Sequence, residues 1–126
     1  YSNPQLHGAR LVATVLEDPA LNSLWNKELT EMSDRINEMR GALVGALTEI
    51  RCPPPNGNFS DWSHITSQIG MFAYTGLSAK NVGMLTDKHH IYCTTNGRFS
   101  MAGINPGNVK QIASAMKDSI MHTSKL

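Results

Sequence analysis

The stretch LNSLWNKELTEMSDRINEMRGALVGALTEI, residues 21–50, decides how this chain is organised. Its apolar side chains recur every three or four positions without a break, which is the spacing of one face of an α-helix. These positions are Leu21, Trp25, Leu29, Met32, Ile36, Met39, Leu43, Leu47 and Ile50. At a rise of about 1.5 Å per residue the helix is about 40 Å long, which is longer than a small domain is wide. We therefore predict a connecting helix over residues 21–51 that joins two bodies of structure; the alternative is an ordinary core helix of an all-helical bundle.

Shorter elements are predicted on both sides of this helix. The predicted helices are a short one that ends near Asp18-Pro19, one capped by Ser78, and one that opens after residues 105–108. Three prolines at 53–55 end the connecting helix, and apolar runs predict short strands at 71–74, 91–93 and 99–102. The pattern is typical of a mixed α/β fold, in which helices cover a small sheet of about three short strands.

Composition narrows the classes of function. The 126 residues carry 11 basic and 10 acidic side chains, a formal net charge of +1 without a basic run, so we expect no nucleic-acid partner. No apolar stretch is long enough to span a bilayer, and we expect no membrane partner. Cys52 and Cys93 have neither metal-ligand spacing nor the pattern of a disulfide framework. His89 and His90 are adjacent and point in different directions, so we expect no metal site.

Arg98 is the candidate binding residue. It follows the turn-forming pair Asn96-Gly97 and lies between two short apolar runs. An arginine held in this way can grip a carboxylate with two parallel hydrogen bonds, because its guanidinium is a planar fork. The alternative is a surface hairpin whose arginine is simply solvated.

The last three residues, Ser124-Lys125-Leu126, match a peroxisomal import address. They predict a peroxisomal or glycosome-like location; the alternative is the cytoplasm.

Four separated motifs together resemble the C-terminal part of the aspartate aminotransferases. They are Ser2-Asn3-Pro4 with His7-Gly8-Ala9-Arg10, Gln68–Phe72 with Tyr74–Leu77, Lys88–Tyr92, and Asn96-Gly97-Arg98 with Ala102-Gly103. The resemblance implies a fold-type I, pyridoxal phosphate-dependent homodimer that exchanges amino groups between aspartate or glutamate and 2-oxo acids. It divides the chain into a remnant of the large cofactor-binding domain (1–20), the connecting helix (21–51) and a C-terminal small domain (52–126).

The resemblance also implies roles for single residues. Arg98 matches the arginine that binds the substrate α-carboxylate, and Phe72 lies in the strand beside it. Ser2 and Asn3 match a segment that borders the neighbouring subunit's active site. The lysine that forms the Schiff base would precede Tyr1, so this chain holds no catalytic residue of its own.

The opening on Tyr1 instead of methionine leads us to expect a fragment. The fragment alone is then expected to be inactive and to bind no pyridoxal phosphate. The alternative function is that of a stand-alone, truncated interaction module without catalysis.

Overall fold

The computed structural model describes residues 5–55, 57 and 59–123. It divides the chain into two compact units, residues 1–35 and 36–126, and the division falls inside the long helix. The predicted domain limits at 20 and 51 are a matter of function and stay predictions.

The first unit is helical. Helix α1 spans Leu6–Glu17 and helix α2 begins at Pro19. The Asp18 carboxylate accepts hydrogen bonds from the backbone N–H groups of Ala20 (2.8 Å) and Leu21 (3.0 Å), which satisfies two donors that the first turn of a helix leaves open. The predicted break near Asp18-Pro19 is confirmed.

Helix α2 is continuous over Pro19–Glu49, as the apolar spacing predicts. Its buried residues all lie in the second unit and are Met39, Arg40, Leu43, Ala46 and Leu47. They recur at steps of one, three or four along one side of the helix, which faces the core.

The second unit adds short elements to this end of α2. They are α3 (Ser63–Thr66), β1 (Phe72–Tyr74), α4 (Ala79–His89), β2 (Arg98–Ser100), a 3₁₀ turn (Met101–Gly103) and α5 (Val109–Thr123). Ser78 caps α4 as predicted, in a capping box with Asn81. The apolar core of the unit is formed mainly by α2, α4 and α5, together with Trp62, Ala73 and Phe99.

The sheet has two antiparallel strands in the described part of the chain, and the prediction of about three was wrong at residues 91–93. The N–H of Ile91 donates to the carbonyl of Leu85 (3.0 Å), and His90 takes a left-handed conformation (φ 54°) at the end of α4. The backbone of Ile91 therefore serves the helix end instead of a strand. The fold class itself, mixed α and β with a small sheet, is confirmed.

None of the described helices combines the length and the apolar character that crossing a membrane would require.

Candidate functional site

The candidate site is one face of the two-stranded sheet. In the register of the strands Phe72 lies opposite Ser100 and Tyr74 opposite Arg98. Because side chains alternate along a strand, these four point to one side of the sheet, which we call the outer face, and all four are exposed. Phe72 is 47% exposed and Tyr74 is 43% exposed. The structure thus brings the two predicted binding residues, Arg98 and Phe72, to the same face.

The opposite side of the sheet is closed by the core. Ala73 and Phe99 pair with each other there, and both are buried. This burial fixes which side chains face outward, because a shift of one residue would turn the whole pattern over. Arg98 is therefore on the outer face for a reason that lies in its neighbour Phe99.

A tight turn delivers Arg98 to the strand. The N–H of Gly97 donates to the carbonyl of Thr94 (2.8 Å), and the N–H of Arg98 donates to the Thr94 hydroxyl (3.1 Å). The N–H of Thr94 in turn donates to the carbonyl of Arg98 (3.2 Å). The predicted turn at Asn96-Gly97 is confirmed.

Gly97 is required by its surroundings. Its φ is +80°, and a Cβ there would lie 2.6 Å from the carbonyl oxygen of Leu77. Its own carbonyl accepts from the N–H (3.0 Å) and the hydroxyl (2.7 Å) of the fully buried Thr75. The residue before Arg98 is thus held against the buried chain at 75–77.

The Arg98 guanidinium is available to a ligand. The ion pairs of the described residues are those of Lys27 with Glu31 and of Asp118 with Lys88, His89 and His122, so none of them involves Arg98. An exposed arginine without a protein carboxylate beside it can accept a substrate carboxylate in a bidentate pair.

Arg40 is the residue at this site that the sequence analysis missed. It is 1% exposed, and its two terminal nitrogens donate to the carbonyls of Ile65 (2.8 Å), Gly70 (2.6 Å) and Phe72 (2.8 Å). Burial lowers its pKa. A signal was available: Arg40 stands four positions after Ile36 and three before Leu43, within the apolar stripe of the helix.

The lysines of the described residues do not supply a site for covalent attachment of a cofactor. Lys88 binds the Asp118 carboxylate (2.7 Å), and Lys117 donates to the carbonyl of Ile50 (2.6 Å). The other described lysines, Lys27, Lys80 and Lys110, are exposed. Schiff-base chemistry needs an amine whose pKa its surroundings have lowered, and these amines are solvated or already paired.

Several predicted sites cannot be placed. Ser2 and Asn3, and the import address Ser124-Lys125-Leu126, lie outside the described residues. In the part of the chain that the structure does describe, no three histidine, cysteine or acidic side chains come together as a metal site would require.

Comparison with known proteins finds one family throughout. Residues 1–116 match the family described as aminotransferase class I and II. The chain is 51% identical over 118 residues to a mitochondrial aspartate aminotransferase of Arabidopsis thaliana, covering 94% of this chain and 26% of that protein. It is 49% identical over 123 residues to a cytoplasmic aspartate aminotransferase of Dictyostelium discoideum, covering 98% of this chain and 27% of that protein.

Solved structures agree with the sequence relatives. The cytoplasmic aspartate aminotransferase of Saccharomyces cerevisiae superposes with a TM-score of 0.87 at 40% identity, covering 96% of this chain and 28% of that chain. An aromatic-amino-acid aminotransferase from Burkholderia pseudomallei, covalently bound to pyridoxal phosphate, gives a TM-score of 0.84 at 39% identity, covering 95% of this chain and 29% of that chain. This chain therefore spans about a quarter of the length of its curated relatives.

Proposed function

Since the chain belongs to the class I and II aminotransferases, we propose that it forms the part of an aspartate aminotransferase that binds the substrate α-carboxylate. The complete enzyme transfers the amino group of aspartate or glutamate to a 2-oxo acid. The contribution of this chain is to bind and orient the amino acid, and its central residue is Arg98.

One observation carries the proposal. The register of β1 and β2 places Arg98 on an exposed face beside Tyr74 and Phe72, with no carboxylate of the described chain paired to it. The guanidinium supplies two parallel donors, and the aromatic side chains supply an apolar border that keeps water from part of the bound ligand. A solvated hairpin would need neither the aromatic border nor the tight support beneath Gly97.

The cofactor of the complete enzyme is pyridoxal phosphate, as in the Burkholderia relative. When bound, this group acts as an electron sink for the carbon that carries the substrate amine. The described residues do not fit its covalent attachment, because their lysines are exposed or paired elsewhere. We therefore assign cofactor binding to residues outside this chain and substrate-carboxylate binding to this chain.

Substitution of Arg98 by lysine in the complete, cofactor-loaded protein tests the proposal. Lysine keeps the charge but cannot make both parallel bonds, so we expect kcat/KM to fall by at least about tenfold, the equivalent of ~1.5 kcal/mol or more. The loss should be similar for aspartate and for an uncharged amino acid, because both carry the α-carboxylate.

Arg51→Lys is the matched control, because Arg51 is also an exposed arginine of the second unit but lies away from the sheet. It should leave kcat/KM within twofold of the native value. Equal values for the two variants would return Arg98 to the solvated hairpin of the alternative.

A homodimer is part of the same proposal. In the first unit Leu11, Val12, Val15, Leu16 and Trp25 line an apolar depression of about 300 Å³, and none of the α1 side chains is buried. Such a surface also suits the alternative of a stand-alone interaction module. The mass of the native gene product decides between them, because the module requires a product of about this length.

The curated relatives include cytoplasmic and mitochondrial proteins. We propose a peroxisomal location on the strength of Ser124-Lys125-Leu126 alone, with the cytoplasm as the alternative.

A further inference from the structure

The edge of β1 that faces away from β2 is closed by side chains. The carbonyl of Met71 and the N–H of Thr75 bond across to Met101 (2.8 Å) and Gly97 (3.0 Å). Since backbone groups alternate in direction along a strand, the N–H and C=O groups of Phe72 and Tyr74 point the other way. A third strand would ordinarily take these groups.

Two side chains take them instead. Arg40 donates to the carbonyls of Phe72 (2.8 Å) and Gly70 (2.6 Å) through one terminal nitrogen. Gln68 accepts from the N–H of Tyr74 (2.7 Å) and donates to its carbonyl (2.9 Å), so that its amide imitates a paired strand residue. The two residues of β1 on the outer face are thus each fixed by one side chain.

The core in turn fixes Arg40. It lies on α2 between fully buried turns that include Leu43 and Leu47, and its other terminal nitrogen donates to the carbonyl of Ile65 (2.8 Å). The guanidinium therefore ties α2 to the chain on both sides of Gln68. A displacement of Arg40 would move β1 against the helix.

A stabilising role alone does not account for this arginine. A buried charge is costly to desolvate, and in the described part of the chain its partners are carbonyl oxygens and not a carboxylate. An apolar side chain of similar volume would fill the space at lower cost. What the guanidinium adds is a fixed position for three carbonyls, two of which belong to the segment that carries Phe72.

We propose that Arg40 and Gln68 are positioning residues for substrate carboxylate binding. They hold β1 so that Phe72 and Tyr74 keep their place beside Arg98, which β1 holds in turn through the register of the sheet. The inference rests on the proposed function of the outer face. Neither residue touches the ligand; each acts through the strand that it borders.

The test uses the complete, cofactor-loaded protein with Arg40→Lys and Gln68→Met. A lysine ends in one nitrogen and cannot reach carbonyls on two segments, and methionine removes both bonds to Tyr74 while keeping the volume. We expect the Kd of succinate, a dicarboxylate without an amino group, to rise by about tenfold or more in each variant, because a shift of about 1 Å is enough to spoil such a site. The KM of aspartate should rise more than kcat falls.

Asn81→Ala is the matched control for lost stability. Asn81 is buried and its amide joins α4 to α5 through Ser119 (2.9 Å) and Thr123 (2.6 Å), away from the sheet. We expect this variant to lower the melting temperature yet to leave the succinate Kd within twofold of the native value.

The outcomes separate the two proposals. If the native protein binds neither succinate nor aspartate, the proposed function fails, and the positioning roles fail with it. If the native protein binds both, a folded Arg40→Lys or Gln68→Met variant with a succinate Kd within twofold of native overturns the positioning role alone. If Arg40→Lys does not fold, Gln68→Met decides, because Gln68 is only partly buried.

Discussion

Replacing Gly97 by alanine is expected to destabilise the second unit, because two independent features of the structure require glycine. The backbone at Gly97 is left-handed, with φ of +80°, and that conformation costs a residue with a Cβ about 1 to 2 kcal/mol. The added Cβ would also lie 2.6 Å from the Leu77 carbonyl oxygen and 3.1 Å from its nitrogen. Backbone atoms cannot rotate away, so the turn itself has to move.

Movement of the turn affects its bonds to Thr75. The Gly97 carbonyl accepts from the Thr75 N–H at 3.0 Å and from the Thr75 hydroxyl at 2.7 Å. Each such bond contributes about 1 kcal/mol, so losing one together with the backbone strain lowers the free energy of unfolding by about 3 kcal/mol. With a urea dependence of about 1 to 3 kcal/mol per molar, the unfolding midpoint should fall by about 1 to 3 M.

Urea unfolding of the 126-residue chain, followed by tryptophan fluorescence, measures the effect. Trp62 is 4% exposed in the second unit, whereas Trp25 is already 42% exposed, so the change on unfolding comes mainly from Trp62. Gly45→Ala is the control, because Gly45 lies in α2 and its Cβ would meet nothing within 4 Å. That change should raise stability by up to about 1 kcal/mol. A Gly97→Ala protein as stable as Gly45→Ala would refute the reasoning.

Two further predictions concern titratable side chains. Hydrogen bonds from Lys88 and His89 hold the pKa of Asp118 below its ordinary value, so this carboxylate stabilises the fold above about pH 3.9 and ceases to do so as the pH falls through the lower folded pKa. Asp118→Asn should therefore be less stable than the native chain at pH 7, by up to about 1 kcal/mol, with the difference vanishing in acid; a difference that persists in acid would contradict this origin. Burial raises the pKa of Cys52 to about 11 against the opposing effect of Lys117, which leaves about 0.1% thiolate at pH 8. Iodoacetamide should therefore modify Cys52 only after unfolding, as followed by mass spectrometry, and equal labelling rates in buffer and in urea would count against this burial.

The helices were largely predictable from the sequence, since the interactions that begin and end them are local. Asp18 and Pro19 separate α1 from α2, and Ser78 with Asn81 opens α4 within four residues of chain. The strand at 91–93 was mispredicted because its apolar composition is the same whether its backbone pairs with a strand or closes a helix. The hydrogen bond from Ile91 to Leu85 decided the outcome, and composition carries no trace of it.

The sequence by itself determined the family resemblance, the continuity of α2 and the turn that presents Arg98, because each depends on residues that are neighbours in the chain. Only the tertiary structure decided that Arg98 shares a face with Phe72, and that Arg40 lies beneath that face. The carbonyls that Arg40 binds are 25 to 32 residues further along the chain. Apolar periodicity assigns a position to the core side of a helix, but it does not say which backbone will be there to meet it.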